Sequence, residues 1–149
     1  MKEIPLTRGK VALVDDEDFE WLNQFKWFCN TAGYAVRNLP KRKSEYMHRA
    51  IIKTPDGLQT DHIDHNKRNN QKSNLRICDN AQNQANRHYK KSKDSGYRGV
   101  EKRGNKFRAH ITISQNVIHL GHYDSPEEAA LVYDNAVKKH FGEFAITNF

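Results

Sequence analysis

The hydrophobic pattern at the start of the chain predicts a small strand, helix and strand unit over residues 1–44. A stretch rich in β-branched residues, Lys10 to Val14, predicts the first strand. Apolar residues near helical spacing follow it, and the alternation of Tyr34 and Val36 with their neighbours predicts the second strand. We expect the apolar and aromatic side chains of this unit to form a local core.

Residues 45–88 show a different order of elements, in which two strands lie between two short helices. The predicted elements are a helix over Glu45 to Lys53, a strand over Leu58 to Ile63, a polar loop over Asp64 to Ser73, an antiparallel strand over Leu75 to Cys78, and a helix capped by Asp79. The last helix would carry Asn83 and Asn86 one turn apart.

The remainder of the chain reads as a basic linker, residues 89–94, followed by a separate module over residues 95–149. Apolar and polar residues alternate from Phe107 to Ile113, and a second strand is predicted from Val117 to Tyr123. Ser125 and the Pro that follows it then begin a helix with a buried apolar stripe.

Composition and charge point to an anionic partner. Only 36% of the 149 residues are hydrophobic, which favours small modules over one large core. The formal charge is +7 and the pI about 9.4, and basic residues dominate between Arg37 and Arg108. Nucleic acid is therefore the first candidate partner.

Cysteine usage and hydropathy predict where the protein works. Cys29 and Cys78 are far apart, so they offer neither a disulfide framework nor the paired thiolates of a zinc site. The sequence has no signal-like N-terminus and no apolar run of about 18 residues. We expect a soluble, intracellular protein that makes no contact with membranes.

The segment from Tyr46 to Arg87 resembles the HNH endonuclease family, in the branch found in phage and intron-encoded (homing) nucleases. It contains an Asp-His pair, an Asn-Asn pair in the loop, Asn-Leu-Arg on the second strand and an Asn-rich helix. These features are Asp61-His62, Asn69-Asn70, Asn74-Leu75-Arg76, and Asn80, Asn83 and Asn86. The resemblance implies a ββα-metal centre that hydrolyses DNA phosphodiester bonds.

The resemblance also implies roles for individual residues. His62 would be the general base, and Asn74 would pin the loop and orient His62. Asp61 and Asn83 would ligate the metal, with Asn86 or Asn80 as alternatives one turn away. Such hard oxygen ligands suit Mg²⁺, which Mn²⁺ can replace, better than Zn²⁺.

The residues around this centre include two histidines and a second aspartate. Asp61 and His62 would point to opposite sides of a regular strand, so we expect a twist or bulge that brings both to one phosphate. His48 is interpreted as a structural or phosphate-contacting residue. Asp64 and His65 are interpreted as loop or phosphate contacts.

The last module, from Ser95 to Phe149, resembles the AP2 DNA-binding domain. The matching segments are Tyr97-Arg98-Gly99-Val100, Phe107-Arg108-Ala109, Leu120-Gly121, Glu127-Glu128-Ala129-Ala130, Tyr133-Asp134 and Thr147-Asn148-Phe149. The resemblance implies a three-stranded sheet in the major groove, supported by one helix. Glu101 and Val117 stand where plant members usually carry a basic residue, and Glu101 would either accept from a cytosine amino group or lie away from DNA.

Together these patterns predict an α+β protein with an N-terminal α/β unit, a ββα-metal module and an AP2-like sheet and helix. It would be a metal-dependent homing-type endonuclease that nicks double-stranded DNA as a monomer or weak dimer, without a small-molecule cofactor, as a phage protein in a bacterial host. The alternatives are a non-catalytic DNA-binding regulator with a degenerate HNH module and a DNA-packaging factor. The expected DNA contacts are Arg49, Lys67, Arg68, Arg76, Arg98, Arg103, Arg108, His110 and His119.

Overall fold

The computed structural model describes residues 1–86 and 91–149, which form two compact units, Met1–Asp79 and Asn80–Phe149. Both units combine short antiparallel sheets with helices, so the predicted α+β class is confirmed. Within the described residues, no helix is long and apolar enough to cross a membrane.

The first unit contains three small antiparallel sheets, two α-helices, and 3₁₀ helices at Thr7–Gly9 and Lys72–Asn74. The sheets pair β1 with β2, β3 with β4 and β5, and β6 with β7. The bounds are β1 Lys2–Pro5, β2 Val11–Val14, α1 Asp16–Leu22, β3 Phe28–Cys29, β4 Ala35–Leu39, β5 Lys43–Tyr46, α2 Met47–Ile52, β6 Gln59–His62 and β7 Leu75–Cys78.

The N-terminal part is richer in strands than the predicted strand, helix and strand. β2, α1 and β4 occupy the predicted places, but β1, β3 and β5 were not predicted. The helix expected from Glu45 begins at Met47, because Lys43–Tyr46 pairs with β4 instead. A polar strand of this kind is defined by its hydrogen-bonding partner and leaves no periodic pattern in the sequence.

One hydrophobic core holds the first unit together. Val14 of β2, Leu22 of α1, Met47 of α2 and Leu75 of β7 are all buried in the same cluster. The segment before residue 45 therefore shares its core with β7, the strand that pairs with the one carrying Asp61 and His62.

The second unit is a three-stranded antiparallel sheet covered on one face by a helix. Its elements are α3 Asn80–Ala85, β8 Val100–Arg103, β9 Lys106–Ile113, β10 Asn116–Tyr123 and α4 Pro126–Phe141. β9 is the central strand, and its buried residues Ala109 and Ile111 pack in clusters with Ala129 and Tyr133 of α4. Ser125 caps α4, since its Oγ accepts a hydrogen bond from the backbone N–H of Glu128 at 3.2 Å.

The boundary between the two units lies between Asp79 and Asn80, just before α3. The structure groups α3 with the second unit, where it contacts α4. Part of the predicted linker, and the end of the segment before it, fall at residues 87–90, outside the described residues. The division into residues 1–44, 45–88, 89–94 and 95–149 stays a prediction.

Candidate active site

Asp61 and His62 lie next to each other on β6 but face different surroundings. β6 pairs with β7 in a continuous register, Asp61 opposite Arg76 and His62 opposite Leu75. Consecutive residues of a regular strand point to opposite faces of the sheet. No register shift interrupts the pairing, so the strand has no bulge at this point, and the alternative of a local twist stays a prediction.

His62 is held by an asparagine that the sequence did not single out for this role. The His62 Nε2 atom lies 3.2 Å from Oδ1 of Asn70, which is 1% exposed. Asn70 Nδ2 donates to the carbonyl oxygen of Arg68 at 3.2 Å, so its Oδ1 faces the ring as an acceptor. Nε2 then carries the ring hydrogen, and Nδ1 keeps the lone pair that a general base needs.

Asn74 contacts the loop between the two strands. Its Nδ2 donates to Asp64 Oδ1 and to the Asn69 carbonyl oxygen, both at 2.8 Å. Its Oδ1 accepts from the backbone N–H of Asp64 at 3.0 Å. Asn74 therefore ties the two ends of the loop together, while Asn70 accepts the hydrogen bond of the His62 ring.

The N-terminal segment fixes the position of Asn70. The backbone N–H of Asn70 donates to the Leu13 carbonyl oxygen, and Leu13 N–H donates to the Arg68 carbonyl oxygen, both at 2.8 Å. Asp15 accepts from Gln71 Nε2 at 3.0 Å on the same loop. The strand β2 thus determines which loop asparagine reaches the imidazole.

Two aromatic side chains pack around His62 and exclude water from it. The centroid of the His48 ring lies 5.1 Å from that of His62, in an edge-on arrangement, and that of Tyr34 lies 5.9 Å away. His48 is buried, and its Nδ1 has no hydrogen-bond partner among the described residues. Burial therefore makes the phosphate-contacting interpretation of His48 a poor fit and favours the structural one.

Burial also determines the charge of both imidazoles. It lowers the pKa of His48 to about 3, with smaller contributions from the charges of His62 and Arg49. It lowers the pKa of His62 as well, against the opposing effects of Asn70, Asp64 and Asp61. Both rings are neutral at neutral pH, which is the form in which a histidine can accept a proton.

The two residues implied as metal ligands lie in different units, Asp61 on β6 and Asn83 on α3. Asp61 is 7% exposed, and its Oδ2 accepts from Arg76 Nε and Nη2 at 2.9 and 2.8 Å. Within residues 1–86 and 91–149, no group of three or more His, Cys, Asp and Glu side chains could hold a metal. A carboxylate and an amide oxygen fit a hard cation such as Mg²⁺, with water and phosphate oxygens completing its shell.

Three of the four basic residues expected to contact DNA in the first unit have partners within it. Arg49 donates to the Leu58 carbonyl oxygen at 3.0 Å. Lys67 donates to the Ala32 carbonyl oxygen at 3.0 Å, and Arg76 holds Asp61. Arg68 is half-buried. Their predicted contacts with DNA stay predictions.

In the second unit, four of the five expected contacts share the face of the sheet that lies opposite α4. Glu101 is directly across from Arg108, and His110 is across from His119. We call the surface formed by Glu101, Arg103, Arg108, His110 and His119 the polar face. Lys106 and His122 lie on the same side of the sheet, across from Arg103 and Arg108. The fifth, Arg98, precedes β8 and donates from Nη2 to the Ala85 carbonyl oxygen of α3 at 2.9 Å.

Comparison with known proteins identifies the family. A family model described as HNH endonuclease matches residues 53–85, the segment with Asp61, His62, Asn74 and Asn83. An HNH endonuclease of Acanthamoeba polyphaga mimivirus is 33% identical over 146 residues, which cover 95% of this chain and 76% of the relative. The chain belongs to the HNH endonuclease family. This HNH endonuclease is thus a DNA-cleaving enzyme, and nucleases of its family generally depend on a divalent metal.

Proposed function

We propose that this nuclease is a homing-type enzyme that nicks double-stranded DNA, with His62 as its general base. The observation that supports this role is the geometry of the imidazole. His62 is buried, neutral at neutral pH, and tied through Nε2 to Asn70, so that Nδ1 alone can accept a proton. A neutral imidazole held in one tautomer is suited to proton abstraction.

In the proposed reaction, His62 Nδ1 takes a proton from a water molecule beside the scissile phosphate. The water oxygen forms a bond to phosphorus, and the bond from phosphorus to the 3′ oxygen breaks. The 3′ oxygen takes a proton from solvent, which leaves a 3′ hydroxyl and a 5′ phosphate. Asn70 keeps the ring in place while His62 gains and then releases its proton.

Asp61 and Asn83 would hold the metal, which we expect to be Mg²⁺ with Mn²⁺ as a substitute. Bound there, a divalent cation supplies Lewis-acid stabilisation of the charge on the phosphorane and on the leaving oxygen. Arg76 donates from Nε and Nη2 to Oδ2 of Asp61, so that its positive charge lies beside this carboxylate.

The metal proposal is tested by nicking of supercoiled plasmid over a range of Mg²⁺ concentrations. We expect EDTA to stop the wild-type enzyme, and Asp61→Ala or Asn83→Ala to raise the Mg²⁺ requirement or abolish nicking. Asn86→Ala is the matched control from the same Asn-rich segment. Loss of nicking in Asn86→Ala, with Asn83→Ala active, would reassign the helix ligand.

For target choice, we propose that the second unit acts as an AP2-like domain that reads DNA with its polar face. The arrangement that supports this is a sheet with arginines and histidines on one face and α4 packed on the other. Arginine forks on a sheet can pair with guanine O6 and N7 in the major groove. The first unit would then cleave the DNA, and the second unit would select the DNA sequence that is cleaved.

The alternative of a non-catalytic regulator differs from this proposal in one observable. A regulator would bind plasmid without breaking it, whereas the proposed enzyme converts supercoiled DNA to the open circle in Mg²⁺. A single active centre in a monomer predicts open circles before linear DNA.

A further inference from the structure

One carboxylate stands among the basic residues of the polar face and contacts two of them. Glu101 Oε2 lies 2.9 Å from Nη2 of Arg103 and 2.9 Å from Nη2 of Arg108. A second hydrogen bond reaches the same oxygen from Arg103 Nε at 3.2 Å. Both guanidinium groups are thus oriented by the same acceptor.

The sheet itself sets up this contact. Glu101 on β8 pairs directly with Arg108 on β9, and Arg103 lies two residues further along β8 on the same face. Side chains in these positions are nearest neighbours on a sheet. The three side chains are partly exposed, between 30% for Arg108 and 59% for Arg103, so they are open to a ligand that covers the face.

A carboxylate at this place lowers the attraction of the face for any polyanion, since it would face DNA phosphates with the same charge. Surface ion pairs of this kind contribute little to stability. Orientation of the arginines offsets this electrostatic cost. A guanidinium that Glu101 already holds in place loses less conformational freedom when it pairs with a base. The neighbouring carboxylate also disfavours nonspecific binding of these guanidinium groups to DNA phosphates.

We propose that Glu101 is a specificity-determining residue that positions Arg103 and Arg108 for base edges and restrains them from phosphates. This inference rests on the proposed DNA-reading role of the second unit. It assigns Glu101 to neither option left open by the sequence, because its carboxylate is bound by arginines and acts on DNA through them. Glu101 is a positioning residue in this account.

The test is a selection from a pool of duplex DNA with a randomised central stretch, using the full-length protein in Ca²⁺ to prevent cutting. We expect the wild type to enrich a sequence motif, and Glu101→Gln to bind the unselected pool as tightly or more tightly. The preference for the wild-type motif over the pool should fall by about 5-fold or more, the discrimination of one bidentate arginine contact. The salt dependence of pool binding should become steeper, by about 0.9 per added phosphate contact.

Two variants separate positioning from charge. Glu128→Gln removes the same charge from the exposed first turn of α4, and it should leave the preference for the motif unchanged. Glu101→Asp keeps the charge but is too short to reach both arginines, so it should lose preference without gaining affinity for the pool. Melting temperatures confirm that each variant is folded.

The outcomes distinguish this inference from the proposed function. If Arg108→Ala keeps the full preference, the polar face does not read DNA and both proposals fail. If Arg108→Ala loses the preference while Glu101→Gln keeps it, only the role of Glu101 is overturned. An equal loss in Glu128→Gln, or no enriched motif with the wild type, would also overturn it.

Discussion

At the scale of single residues, the proposed reaction depends on the protonation state of a buried histidine. Burial lowers the pKa of His62 below its ordinary value of 6.5, while Asn70 and two carboxylates oppose the shift. As pH rises, His62 loses its proton before pH 6.5 is reached. We expect the nicking rate to rise with pH and to reach half its plateau below pH 6.5, as measured under saturating plasmid.

Asn70 provides a second prediction, because it fixes the tautomer of the ring. Asn70→Ala removes the acceptor of the Nε2 hydrogen, and the ring can then turn or carry its hydrogen on Nδ1. We expect nicking to slow by about 10-fold or more at saturating DNA. Asn38→Ala, at an exposed position of β4, is the control. Equal rates in wild type and a folded Asn70→Ala would contradict the positioning role.

His48 leads to a prediction about stability in acid. In the unfolded chain its pKa is near 6.5, whereas in the folded protein it is about 3. Between these values the unfolded state binds more protons, so folding stability falls as pH drops below 6.5. At pH 5 the loss from His48 is about 2 kcal/mol.

A comparison of urea unfolding at pH 7 and pH 5 checks this. His48→Phe cannot titrate and removes the unpartnered ring nitrogen, so it should lose about 2 kcal/mol less than the wild type over this interval. The same pH dependence in both proteins would show that His48 is not the group responsible.

The site residues were only partly predictable from the sequence. The roles of Asp61 and His62 follow from the resemblance of their segment to HNH endonucleases. Asn70 and Asn74 cannot be distinguished in that loop, since both are asparagines at the end of the same polar run. Which of them reaches His62 depends on hydrogen bonds to Leu13, more than fifty residues away in the chain.

At the scale of elements, one glycine of the second unit is required by close packing. Gly99 has φ +70°, and a Cβ there would lie 2.0 Å from the Tyr133 ring on α4. Gly99→Ala would combine left-handed strain with a clash, and we expect a loss of about 3 kcal/mol or more. Gly104, with φ +62° and open space around it, is the matched control.

Chemical denaturation of the two variants checks this prediction. Gly104→Ala should lose only about 1–2 kcal/mol, the cost of left-handed backbone. If the two alanine variants were equally stable, the packing of Tyr133 over Gly99 would not limit the fold.

Elements with their own periodic pattern were predictable, and elements defined by a partner were not. β9 and α4 alternate or repeat their apolar residues, and the structure has both where the pattern places them. β3 has two residues and β5 is polar, so each is a strand only because β4 lies beside it. Of the twist or bulge expected in β6, the bulge is absent, since pairing with β7 stays regular.

At the scale of the whole molecule, the net charge of +7 overstates how many basic side chains are available to contact DNA. Arg49 and Arg76, both basic residues of the central segment, already bind carbonyl or carboxylate oxygens. Sequence shows how many cations a segment carries, whereas the folded structure shows which of them have partners. The polar face of the second unit has its own restraint, because Glu101 contacts two of its arginines.

We propose that this nuclease cuts DNA with His62 as its general base. The most direct test compares nicking of supercoiled plasmid in Mg²⁺ by the wild type, His62→Ala and His65→Asn. His65 is an exposed loop histidine with positive φ, which asparagine tolerates, so His65→Asn is the matched control.

We expect His65→Asn to nick at nearly the wild-type rate, and His62→Ala to be slower by about 100-fold or more, the usual contribution of a general base. Gel-shift titrations should show equal DNA affinity for the wild type and His62→Ala. Wild-type nicking by a folded His62→Ala, or the absence of Mg²⁺-dependent nicking in the wild type, would contradict the claim.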